Sequence, residues 1–155
     1  MKIDETDRRI LALLQENADL SVAEIGTHVG LSSTPCWRRI QNLEKQGVIR
    51  KKVALLDRRA IDVPLTVFVM IRTSQHNDSW LEKFAKGVSE IPEVLEFYRM
   101  SGTVDYLLRI VVPSVETYDA VYKRLISIAD LAEVSSSFAM EEIKYTTALP
   151  LGYAG

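Results

Sequence analysis

The chain has 155 residues, 47% of them hydrophobic, one cysteine and a net charge of −2. That length buries one sizeable core or two small ones, and the longest apolar runs, such as residues 67–71, are far too short to span a bilayer. A single cysteine excludes an internal disulfide, and no apolar signal core follows Met1-Lys2-Ile3-Asp4, so a reducing, cytoplasmic setting is expected.

The overall charge argues against a nucleic-acid partner, but it is unevenly spread. Residues 1–60 carry a net charge of +3 and residues 61–155 carry −5. Within the first part, residues 32–60 hold eight Lys/Arg against two acidic residues. Such a local excess is what a phosphate-binding surface requires.

In chain order, residues 4–17 predict a helix with Ile10, Leu11 and Leu14 on one face and Asp4 as its cap. Ser21 and Glu24 form a capping box for a second helix, in which Val22, Ile25 and Val29 recur at helical spacing. Gly30 ends that helix, and after one intervening residue Ser32 is expected to cap a third helix over residues 32–46. Pro35 falls in its first turn and Gly47 stops it. Such a tight connection is expected of a helix-turn-helix.

On the third helix, Cys36, Ile40 and Leu43 make one apolar stripe, so Cys36 reads as a small buried hydrophobe. Thr34, Arg38, Gln41 and Lys45 lie nearly opposite, with Trp37, Arg39 and Asn42 on the flanks and Ser32 and Ser33 at the start. An Arg, Gln and Thr row of this kind suits a major groove, where Arg pairs with guanine, Gln with adenine, and the Thr methyl touches thymine. An ordinary solvated surface helix is the alternative. Residues 48–56 (VIRKKVALL) predict a basic strand, with Arg50, Lys51 and Lys52 placed to meet phosphates, giving the head a winged-helix-like character.

Residues 57–64 read as a hinge ended by Pro64, which sets expected domains at 1–60 and 61–155. Strands are predicted over 65–73, 94–100, 105–112 and 133–147. A helix opened by Asn77 or Asp78 carries Leu81, Phe84, Ala85 and Val88, and one after Pro113-Ser114 carries Tyr118, Val121, Leu125 and Ile128. The order βαββαβ predicts an α+β chain: a helix-turn-helix domain followed by a ferredoxin-like sheet with both helices on one face. Val67, Val69 and Ile71 alternate with Phe68 and Met70, so both faces are apolar and a homodimer is expected.

A helix-turn-helix followed by a ferredoxin-like domain bearing Gly102-x-x-Asp105-Tyr106-Leu107-Leu108 resembles the Lrp/AsnC, or feast/famine, transcription regulators. The resemblance covers essentially the whole chain. It is carried by residues 31–40, by Leu43-Glu44-x-x-Gly47-x-Ile49, by Ser101 to Leu108 and by Met140-Glu141-Glu142. It implies double-stranded DNA as a partner, a dimer built through the C-terminal sheets and extended to tetramers or an octamer, and a response to an amino acid.

A free amino acid presents an ammonium and a carboxylate, so its pocket needs an acidic acceptor together with hydroxyl or N–H donors. Asp105 suits the ammonium, the turn Ser101-Gly102-Thr103 offers N–H groups, and Ser135, Ser136 and Ser137 lie on a strand that can face the same cleft. On spacing alone, Gly102 merely permits a turn and Asp105 bonds that turn's backbone. The resemblance instead implies an effector pocket between dimers, here comprising Met100, Ser101, Gly102, Thr103, Asp105, Tyr106 and the three serines. Thr103-Val104 stands where family members often carry an acidic or aromatic residue, so the ligand's identity does not follow.

Other chemistry is thin. His28 and His76 lack neighbours at metal-ligand spacing, and Glu141-Glu142, expected on a strand, point to opposite faces. Nothing resembles a nucleophile with its base or a phosphate loop, so no enzyme, metal or cofactor is expected. Against the effector-responsive regulator stand a small-molecule-binding or metabolic domain with an incidental helical head, and an adaptor whose helices grip a protein.

Overall fold

Asp4 and Asp7 start the first helix by capping each other. In the computed structural model, which describes residues 2–155, the Asp7 N–H donates to Asp4 Oδ1 at 2.8 Å and the Asp4 N–H to Asp7 Oδ2 at 3.3 Å. They open α1 (Glu5–Glu16), and Ser21 and Glu24 do the same for α2 (Val22–Val29). Gly30 ends α2 with φ +75°, and the Leu31 N–H returns to the Gly26 carbonyl at 2.8 Å. Then α3 runs over Ser33–Lys45. Ser32 occupies the cap position as expected, but its side chain makes no capping bond; its carbonyl instead accepts the Cys36 N–H. Ile10, Leu11, Ile25, Val29, Cys36, Ile40 and Leu43 close the core of this head.

Residues 48–56 do not form the expected basic strand. A strand is held by a ladder to a neighbour, and this segment meets none among the described residues. Ile49 packs on the head core, while Val53, Leu55 and Leu56 stand exposed. β propensity without a partner leaves an extended connection.

Four strands follow: β1 (Leu65–Arg72), β2 (Val94–Arg99), β3 (Tyr106–Val112) and β4 (Glu133–Phe138). Their spatial order is β2-β3-β1-β4 and every pairing is antiparallel. Asn77 caps α4 (Asp78–Ser89) and Ser114 caps α5 (Val115–Ile128), each accepting the N–H three residues on. Val67, Val69 and Ile71 of β1 and Tyr106, Leu108, Ile110 and Val112 of β3 share one core with Phe84 and Val88 of α4 and Tyr118, Val121 and Leu125 of α5. Both helices therefore cover the same face. The opposite face presents Phe68, Met70, Leu107, Tyr98 and the Arg109–Glu96 ion pair of 2.7 Å, with no helix of this unit over it.

The last strand is shorter than the expected 133–147. The Ala139 N–H makes its closing bond to the Thr66 carbonyl at 2.9 Å. Further pairing would run onto Pro64, which has no N–H to offer. Glu141 and Glu142 consequently lie beyond the strand, not on it.

The tail after residue 143 changes partners. Gln15 Nε2 donates to the Leu149 carbonyl and its Oε1 accepts the Leu149 N–H, at 3.2 and 2.7 Å. The Arg8 Nε donates to the Ala154 carbonyl at 2.7 Å, and Leu151, in a 3-10 turn over Leu151–Tyr153, packs on the head core. The compact units are accordingly the chain up to Leu55 with Lys144–Gly155, and Leu56–Ile143. The sequence places the division near residue 60 and assigns the tail to the second domain; the tail's polar and apolar contacts instead lie on α1.

Candidate functional site

On α3 the buried stripe of Cys36, Ile40 and Leu43 leaves Thr34, Arg38, Gln41 and Lys45 exposed on the opposite side. Burial pushes the Cys36 thiol pKa up, which keeps it in the protonated, apolar form. Ser32, Ser33 and Asn42 are exposed as well, and Trp37 keeps half its surface in water. Gln41 Nε2 donates to Glu44 at 2.9 Å, and Glu44 also receives Lys52 at 3.1 Å. Lys52 is thereby drawn to the end of α3, with Arg50 and Lys51 exposed beside it in sequence.

Arg39, expected on the DNA-contacting flank, is engaged within the head. Its Nη1 donates to Asp7 Oδ1 at 2.8 Å and to Asp4 Oδ2 at 2.7 Å, which raises its own pKa, through Asp7 first. The Asp4 carboxyl is held below its ordinary value by the Asp7 N–H and then by the guanidinium. The two carboxylates engage Nη1 and so tie Arg39, and with it α3, to the start of α1. The Asp7 half of this arrangement has a legible signal in the sequence, an Asp three residues after Asp4.

In the second unit, the turn before β3 forms the wall of two open clefts. One, of about 400 Å³, is lined by Arg72, Thr73, Ser74, His76, Gly102, Thr103, Asp105 and Ala132. The other, of about 290 Å³, is lined by Met70, Arg72, Thr103, Val104, Glu133 and Ser135. Gly102 has φ +106°, a conformation side chains disfavour. Asp105 Oδ2 accepts the Thr73 N–H at 2.8 Å, so it braces the end of β1, not its own turn.

Of the expected pocket residues, Gly102, Thr103 and Asp105 meet in the larger cleft, and Ser135 joins Thr103 in the smaller. Tyr106 does not: it is buried among Trp80, Phe84 and Phe97 with ring centroids 5.6–5.9 Å away. Ser136 is bonded to the Tyr118 hydroxyl on the helix-covered side, because alternation along β4 turns it away from Ser135 and Ser137. Met100, Ser101 and Ser137 are exposed but line neither cleft. Arg72 was not singled out in the sequence, and His76 was weighed there only as a metal ligand. Arg72 had a signal, since it continues the Phe68, Met70 alternation onto the helix-free face; it pairs with Glu133 at 3.1 Å. Among the described residues no cluster of His, Cys, Asp or Glu could hold a metal ion, and no helix is long and apolar enough to cross a membrane.

A family model described as a winged helix-turn-helix DNA-binding domain matches residues 3–50, and one described as the Lrp/AsnC ligand binding domain matches residues 66–149. The chain belongs to the Lrp/AsnC family. This Lrp/AsnC regulator is 49% identical over 150 residues to the DNA-binding transcriptional activator DecR of Escherichia coli K12, across 96% of this chain and 99% of that one. The crystal structure of an AsnC family transcriptional regulator from Agrobacterium tumefaciens is 59% identical to it, with a TM-score of 0.94 over 97% of this chain and 98% of that one. A Neisseria meningitidis transcriptional regulator, solved as a complex with L-Met, is 36% identical with a TM-score of 0.92, again over 97% and 98%. Family and relatives together make the chain a DNA-binding transcriptional regulator with a ligand-binding domain, and not an enzyme.

Proposed function

We propose that this Lrp/AsnC regulator works in the cytoplasm as a homodimer, or a tetramer or octamer of dimers, that sets α3 of two heads into successive major grooves of a pseudo-palindrome. Grooves on one face of B-DNA recur at roughly 34–36 Å, so the dimer fixes the half-site spacing. Thr34, Arg38, Gln41 and Lys45 meet base edges, with Ser32, Ser33, Trp37 and Asn42 at the margin and Arg50, Lys51 and Lys52 on phosphates. The observation that carries this reading is the exposed row opposite a fully buried stripe on α3, in which Arg38 has no partner among the described residues.

The effector is an amino acid bound in the cleft of Gly102, Thr103 and Asp105, a class of ligand supported by the L-Met complex of the Neisseria relative. One Asp105 oxygen is engaged by Thr73 and the other is available to an ammonium. Binding shifts the assembly only as far as the ligand's affinities for its two states differ.

Gel retardation of the DNA upstream of the protein's own coding region, with and without each of the twenty amino acids, tests both halves. Arg38→Ala is expected to cost about 1–3 kcal/mol of specific binding, the worth of one bidentate base contact. Asp105→Asn keeps an acceptor oxygen for Thr73 and removes the charge; it is expected to bind DNA normally and lose the amino-acid response. Unaltered retardation by Arg38→Ala, or a normal response from Asp105→Asn, defeats the corresponding half.

A further inference from the structure

The chain passes between its two compact units twice, at residues 55–56 and again at 143–144. Each passage is flanked by a charged residue of the ligand-binding unit. Arg58 follows the first by two residues, and Glu142 stands just before the second. Their side chains meet, with Arg58 Nη2 donating to Glu142 Oε2 at 2.7 Å. We propose that this ion pair is a clasp that holds the two passages together and so positions the DNA-binding head; the idea rests on the function proposed above.

The surroundings distinguish the pair from a casual surface contact. Arg58 also donates from Nη1 to the hydroxyl of Thr66, which is buried at the start of β1. The backbone carbonyl of Arg58 accepts the Val63 N–H at 2.9 Å, closing the turn through which the chain enters β1. That turn includes Asp62 at φ +58°, a conformation Asp tolerates better than most residues. The Thr66 carbonyl in turn accepts the Ala139 N–H, the last ladder bond before the chain leaves β4. One arginine thus joins the entry turn, the first residues of β1 and the exit segment.

Exposed ion pairs alone contribute little, because water and side-chain entropy offset their attraction. Arg58 is three-quarters sheltered and has a second, buried anchor, so its guanidinium is ordered whether or not Glu142 is present. The entropic cost of holding the pair falls mainly on Glu142. What the clasp adds is geometric: two tethers fixed at a common root permit the head fewer orientations than two that move independently. For a dimer that must seat two heads on DNA at once, fewer orientations mean a higher effective concentration of the second head.

Arg58 and Glu142 are therefore positioning residues, and Glu142 has a role that neither the groove-reading helix nor the ligand cleft supplies. The test compares Arg58→Glu, Glu142→Arg and the exchanged double variant in the full-length chain. Each single reversal sets like charges against each other and should speed amide exchange across residues 144–155 severalfold. Each should also weaken binding to the upstream DNA about tenfold, as expected for lost preorganisation, while the sheet amides of the ligand-binding unit exchange as before. The double variant should return both readouts toward the parent. Parental exchange in the tail of both single variants overturns the clasp, as does a double variant no better than the singles. A parent chain that fails to retard the DNA counts against the proposed function, and the exchange measurements then decide the clasp by themselves.

Discussion

At the scale of single residues, the decisive contrast is between Arg38 and Arg39, neighbours of one chemistry with different fates. Helical geometry turns Arg38 to solvent and Arg39 toward α1, where Asp4 and Asp7 receive it. Arg39→Ala should weaken the head by about 1 kcal/mol, the worth of a charged bond to buried Asp7 discounted for the water that reaches the guanidinium. Amide exchange in α1 would register it. The loss should also depend on pH. A carboxyl whose pKa is depressed on folding adds stability that is complete above its unfolded value and disappears as pH falls toward the folded one. Because Arg39 helps depress Asp4, the parent's advantage over Arg39→Ala should be full above the ordinary Asp value of 3.8 and narrow below it. An advantage that grows on acidification would contradict the assignment. The flank position of Arg39 was legible in the sequence, but its engagement was not, because helical spacing gives a direction and not the neighbour waiting there.

At the scale of elements, the three helices of the head were legible because each carries both a period and a punctuation mark. Ser21 with Glu24 and Gly30 bracket α2 so closely that its limits follow from side-chain chemistry. Less visible was Gly26, inside α2, against which the turn into α3 closes. A Cβ there would lie 2.6 Å from the Leu31 carbonyl oxygen, the backbone of the turn itself. Gly26→Ala should therefore destabilise the head by about 1–3 kcal/mol, as overpacking does. Gly30→Ala meets no neighbouring atom and costs about 1 kcal/mol through its positive φ alone. Thermal melts of the two variants rank them, and a smaller effect at Gly26 would refute the close-approach argument. The missing basic strand teaches the complementary lesson. Residues 48–56 have the composition of a strand, but strands are stabilised in pairs, and no periodicity in one segment announces whether a partner exists.

At the scale of the whole molecule, the βαββαβ order was enough to predict the sheet and the placement of both helices on one face, since connection rules leave few alternatives. The C-terminal tail was not predictable in this way. Its anchors to Gln15 and Arg8 are backbone carbonyls and amides, which every residue possesses and no sequence pattern marks. The same opacity holds for the clefts: Tyr106 and Asp105 are adjacent in sequence, and only the alternation of β3 sends one into the core. The helix-free face is the remaining large-scale feature. Phe68 and Tyr98 stay substantially exposed there, and Leu56, Met140 and Ile143 are exposed elsewhere in the same unit. So much apolar surface in one chain favours a second copy as its cover. Phe68→Asp, on the helix-free strand face, should lower the sedimentation coefficient toward that of a single chain while the helices and sheet remain intact by circular dichroism. An unchanged assembly would place the interface elsewhere.

The tail's allegiance to α1 also bears on how such genes can recombine. Because Lys144–Gly155 belongs with the head, the ligand-binding unit is in effect an insertion within the DNA-binding one. A single crossover between two relatives would marry one parent's α1 to the other's closing segment, mismatching the packing of Leu151 on the head core. Exchange of sensory specificity should succeed when both junctions are cut, so that residues 56–143 move as a cassette.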